Sequence, residues 1–181
     1  MNKTDIILDT NYSKRINDYA KELFLTFNRE VFSIIDSYKE KNIFYLQDSN
    51  FEFEGVNFYG SPYSPSFFKE HWVFNADRGE EIRQIWGKIP INTDILITHT
   101  PPFNILDYVP NKNENENENV GCKDLSEIIK SKLKNLKLHC FGHIHGNYGV
   151  IHKNGILYSN GAILDNNYKI EVNKIYINFK I

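Results

Sequence analysis

The stretch LKLHCFGHIHG, residues 136–146, decides the fold. Leu136 to Phe141 reads as a short buried strand, and Gly142 turns the chain at its end. His143 and His145 follow. In an extended segment residues i and i+2 point the same way, so both imidazoles are expected to face one pocket. A second stretch, DILITHTPP at 94–102, repeats the arrangement. The apolar run Asp94 to Thr98 delivers His99, and Pro101-Pro102 stops its continuation. Open α/β sheets bind ligands at the carboxyl ends of their strands. If the two strands are neighbours, His99, His143 and His145 converge there, and imidazole suits Zn, Mn, Fe or Ni.

Outward from these two strands, the rest of the chain alternates between helix and strand. Ile6 to Leu8 reads as a buried strand ending at Asp9. From Ser13 to about Lys41 apolar residues recur at three- and four-residue steps, from Ile16 through Leu23, Phe27, Val31 and Ile35 to Tyr38, which is helix periodicity. Ser13 is the N-cap expected there. Ile43 to Leu46 reads as a strand, and Phe51, Phe53, Val56 and Phe58 alternate around Gly55 as a hairpin. Gly60 to Pro65 reads as loop, because its prolines deny a ladder. Arg78 to Trp86 and Lys123 to Lys134 have helical spacing. Val150 to His152, Ile156 to Ser159, Lys169 to Val172 and Ile175 to Phe179 read as strands. Layered α/β is the fold class these elements imply. Asn111 to Asn119, NKNENENEN, has nothing to bury and reads as a solvated loop.

Composition narrows the function. With 181 residues, 41% hydrophobic and 24% charged, the chain is long enough for one domain with a real core. A net charge of -2 leaves no basic field for bulk nucleic-acid binding. No run approaches the ~20 apolar residues a membrane helix needs. The first residues carry no apolar signal region, and two cysteines make no disulfide framework, so a reducing cytoplasm is expected. Cys140 is expected to be buried and inert. Cys122, after a glycine at a helix start, is expected to pack, although a helix N-terminus can lower a thiol pKa. His71, His139 and His152 have no partner at metal-ligand spacing.

Taken together, strand–His–x–Pro–Pro and Gly-His-x-His resemble the fourth and fifth motifs of the calcineurin-like metallophosphoesterases. The resemblance extends to their metallophosphoesterase-domain-containing (MPPED-type) branch. It runs through Tyr45 to Ser49, Tyr59 to Pro62, Phe74-Asn75 with Arg78-Gly79, Asp94 to Pro102, Val120 to Cys122 and Leu138 to Gly149. It covers residues 42 to 165. It implies one domain over residues 1–181, with a divergent, shortened N-terminal portion at residues 1–41. The implied fold is a truncated four-layer α/β/β/α sandwich with mixed β-sheets.

The resemblance also implies a site. His99 and His143 would hold one metal and His145 the other, in a family that uses two; for this chain one or two divalent ions are expected as cofactors. Asp9-Thr10-Asn11 resembles the first motif, with Asn11 in place of a histidine, so Asp9 and Asn11 join the expected ligands. Two such metals, roughly 3.5–4 Å apart, activate a hydroxide and neutralise phosphate. No Gly-Asp segment supplies a bridging carboxylate. No Gly-Asn-His-Glu segment precedes Leu25 to Asn28, where Lys21 to Phe24 stand instead. The expectation is slow metal-dependent hydrolysis of a phosphodiester or nucleotide, a small-molecule phosphoester. The alternative is an inactive relic that binds metal, nucleotide or a complementing protein partner, such as another chain that supplies the missing strands or a second copy in an oligomer.

Overall fold

The computed structural model describes residues 22, 26, 29–67, 73–110 and 117–170. Ser13, Asp9, Asn11, His71 and the expected strands at Ile6 to Leu8 and Ile175 to Phe179 lie outside them, as does the end of the one expected from Lys169. The chain divides into two compact units, Met1–Tyr45 and Leu46–Ile181.

In the first unit residues 29–39 form helix α1, inside the segment whose periodicity predicts one. Asn42 ends it at φ 57, a left-handed position that asparagine tolerates. Ile43 N–H then returns to the carbonyl of Tyr38. The strand expected at Ile43 to Leu46 does not form there. These residues are a connector between that helix end and a turn in which Gln47 N–H donates to Ser49 Oγ.

The second unit is built on a six-stranded sheet. Its strands are β1 (Ser49–Phe53), β2 (Val56–Ser61), β5 (Ile95–Thr98), β8 (Leu138–Phe141), β9 (Gly149–Lys153) and β10 (Ile156–Asn160). Their spatial order is β1-β2-β5-β8-β10-β9. The inner four run parallel, and each edge is an antiparallel hairpin arm. Both hairpins turn on a positive-φ pair, Glu54-Gly55 at φ 49 and 80 and Asn154-Gly155 at φ 54 and 81. Such pairs match the twist of the flanking strands.

Helices α2 (Glu80–Gly87) and α3 (Lys123–Lys132) are amphipathic. Ile82 and Trp86 from α2, with Leu125 and Ile129 from α3, join Tyr59, Leu96, Phe141 and Tyr158 of the strands in one buried cluster. Cys122 caps α3: its Sγ accepts from Leu125 N–H at 3.4 Å and from Trp86 Nε1 at 3.3 Å. Burial pushes its thiol pKa up, so the packing role holds against the reactive one. Cys140, expected to be buried, is half-buried because it points to the sheet's other face, where its cross-strand neighbour Ile97 is 41% exposed. The second unit is thus mixed α/β.

Two loops carry strands that local patterns hide. Ser64–Pro65 (β3) pairs with Asn75–Ala76 (β4). Ser64 N–H and Ser66 N–H donate to Phe74 and Ala76 carbonyls at 2.9 and 2.8 Å, so Pro65 falls where no donor is needed. Tyr108–Pro110 (β6) pairs with Asn117–Asn119 (β7), which turns the end of the Asn-Glu run into structure. No helix among the described residues is long and apolar enough to cross a membrane.

Candidate functional site

Strands β5 and β8 are parallel neighbours, with Ile97 opposite Cys140, so both histidine-bearing ends emerge side by side. The His99 carbonyl accepts from Gly142 N–H at 3.1 Å, and His99 N–H reaches the Ser61 carbonyl of β2 at 3.3 Å. The His99 and His143 ring centroids are 4.7 Å apart. With His145 they line one open cleft of about 750 Å³. Phe67 lies against His143 at 5.6 Å, and Tyr168 stands edge-on to His145 at 5.1 Å.

The histidines reach this cleft differently from the expected extended alternation. His143 sits at φ 69, and Ile144 N–H bonds back to the Gly142 carbonyl at 2.8 Å. That closes a three-residue turn around a left-handed, non-glycine residue, a strained arrangement. His145 then opens a short 3-10 helix, His145–Asn147. Ile144, between the two, is buried.

Burial lowers the His143 pKa to about 4, with His99 and His145 adding repulsion, and lowers that of His99. Both rings are therefore neutral at neutral pH, with lone pairs free for a metal. Imidazole is a ligand type that suits transition-metal dications. Among the described residues no group of three or more His, Cys, Asp or Glu is arranged to hold one. Asp9 and Asn11 lie outside those residues.

His139 is buried completely one layer below, its Nε2 2.8 Å from Thr98 Oγ1. Burial drives its pKa down to about 3. His152 is exposed on β9. Three further residues shape the cleft that residue spacing gave no role: Phe67, Tyr168 and Arg78, the last within a stretch that carries the resemblance. Each lies far in sequence from the strand ends, so no local spacing marks it.

A parallel-centred sheet thus delivers histidines from adjacent strand ends to one cleft. The human and the mouse metallophosphoesterase domain-containing protein 1 are each 41% identical to this chain over 128 residues. The match covers 71% of this chain and 37% of either protein. A UPF0046 protein of Caenorhabditis elegans is 36% identical over 108 residues, covering 60% of this chain and 25% of its own length. Another is 32% identical over 134 residues, covering 74% and 42%. No family model matches the chain. The chain belongs to the metallophosphoesterase-domain-containing (MPPED-type) branch, and it spans well under half the length of these curated relatives.

Proposed function

We propose that this chain hydrolyses phosphoester bonds, in phosphodiesters or nucleotides, slowly and with one or two divalent ions, at the His99–His143–His145 cleft of a shortened four-layer sandwich. The single observation behind this reading is the ring pair of His99 and His143, 4.7 Å apart and held neutral by burial beside His145. Those three imidazoles would hold Mn, Fe, Zn or Ni. A bound divalent ion polarises a phosphoryl oxygen and lowers the pKa of water. Phe67 and Tyr168 wall the cleft beside His143 and His145. In the overall reaction water's oxygen forms the new bond to phosphorus, the ester oxygen leaves, and a proton of that water ends on the leaving oxygen.

A direct test titrates the metal-stripped chain with Mn²⁺, counts bound ions, and follows cleavage of an aryl phosphodiester. Binding and turnover that both vanish in His143→Ala support the reading; turnover unchanged by that substitution defeats it.

One observation favours a second reading. Among its described residues the cleft is lined by no carboxylate that would offset two dications. An inactive domain binding one metal, a nucleotide or a complementing chain fits that lining. Metal binding without turnover, together with a melting temperature raised by nucleotide, selects it.

A further inference from the structure

We propose that Arg78 is the anion anchor of the histidine cleft, holding phosphate oxygens of the ligand by a guanidinium whose charge no carboxylate among the described residues neutralises. This rests on reading the cleft as a phosphoester site.

Arg78 lines the same cleft as His99, His143 and His145. It comes from a different region of the chain, the turn before α2. Its Nη2 donates to the Val120 carbonyl at 2.8 Å and its Nη1 to the Gly121 carbonyl at 3.1 Å. The seat behind these carbonyls is built from a buried side chain. Asp107, 0% exposed, accepts from Gly121 N–H at 2.9 Å, Asn104 N–H at 3.0 Å and Asn119 Nδ2 at 2.6 Å. Its own carbonyl accepts from Val120 N–H at 2.9 Å. The arginine is thus oriented by a segment that is itself pinned.

Orientation alone describes a loop clamp; charge makes the difference. Among the described residues Arg78 has no ion pair. Nearby Arg83 is paired, bonding Asp124 through Nε and Nη2 and Glu127 through Nη2. Backbone carbonyls are neutral, so they fix the guanidinium without cancelling it. Its bonds to the two carbonyls use one N–H of Nη1 and one of Nη2, and the Nε–H and the second N–H on each Nη are further donors of the kind that bind phosphate. A cleft of about 750 Å³ has room for an organic phosphate. A fixed cation beside neutral imidazoles favours a terminal phosphoryl group, which carries more negative charge than a diester.

The test is a titration of the full metal-stripped chain with inorganic phosphate, followed by NMR. Arg78→Gln keeps a donor for one carbonyl and removes the charge. Affinity about tenfold or more weaker, at unchanged melting temperature, is the expected result. Unchanged affinity in the variant, or no phosphate binding by the unsubstituted chain, overturns the anchor. If the variant does not fold, the Arg78 Nε–H resonance of the unsubstituted chain decides: it shifts saturably with phosphate, or the proposal fails. No metal is present in this titration. Absent turnover or metal binding in a parallel assay therefore counts against the phosphoesterase reading alone.

Discussion

The Nε2 of His139 lies 2.8 Å from the hydroxyl oxygen of Thr98, the last residue of the strand that leads into His99. Thr98 has a single hydroxyl proton, and it goes to the Thr100 carbonyl at 2.7 Å. The hydroxyl must therefore accept from His139, which fixes the imidazole as the Nε2–H tautomer. Its Nδ1 is buried without a partner. Together the two bonds tie the backbone beyond His99 to the neighbouring strand.

Thr98→Val keeps the shape and removes both bonds, stranding a buried N–H. The expected loss is about 1–3 kcal/mol of stability, read from urea unfolding. Adding His139→Phe removes the stranded donor and should recover some of that loss. A single substitution that costs nothing would show that the bond contributes nothing.

The same histidine gives the fold an acid sensitivity with a definite sign. Its folded pKa, about 3, lies below the unfolded value near 6.5. Above about pH 6.5 neither state carries the proton and the fold keeps its full stability. As pH falls from there towards 3, only the unfolded chain takes up the proton, so stability is lost. The loss for this group is bounded by roughly 5 kcal/mol. His143, at about 4, and His99 act in the same direction. The urea midpoint of His139→Phe should fall less steeply between about pH 6.5 and about pH 5 than that of the unsubstituted chain. Parallel curves would remove His139 from the account.

Gly121 sits where a side chain has no room. A Cβ there would lie 2.7 Å from Asp107 Oδ2 and 2.7 Å from the Pro102 carbonyl oxygen. Both neighbours are fixed, one by three hydrogen bonds and the other by backbone. Gly121→Ala is expected to lose about 1–3 kcal/mol, as overpacked sites do. Thermal unfolding measures it, and a variant as stable as its parent would mean the segment yields freely.

Local rules reached the hairpin at Gly55 because the alternation on both sides of that glycine delimits its two strands, and they reached the strands on either side of Asn154-Gly155 without reading the turn that joins them. They reached the convergence of His99 and His143 because each follows a strand that the alternation and the glycine or prolines delimit. They missed β3 because Pro65 occupies a slot between two donors, which depends on the partner strand. They missed β7 because Asn119 is held by Asp107, a contact twelve residues away. Arg78 enters the cleft only through Val120 and Gly121, more than forty residues on. In each case the deciding partner lies outside any local window.

His143 offers the sharpest separation of stability from function. Its φ of 69 is unfavourable for any residue with a Cβ, and the Ile144-to-Gly142 bond holds it there. Strain of this kind persists at sites where position matters more than stability. His143→Ala keeps the Cβ and hence the strain, while losing the ring's contacts with His99 and Phe67. His143→Gly loses the same contacts and relieves the strain. The glycine variant should therefore be more stable than the alanine variant by about 1 kcal/mol, measured by urea unfolding. Both should bind Mn²⁺ much more weakly than the parent, because both lack the imidazole. If the alanine variant is the more stable of the two, the turn is not strained. If either retains parental metal affinity, His143 is not a ligand, and the site must be sought around His99 and His145 alone.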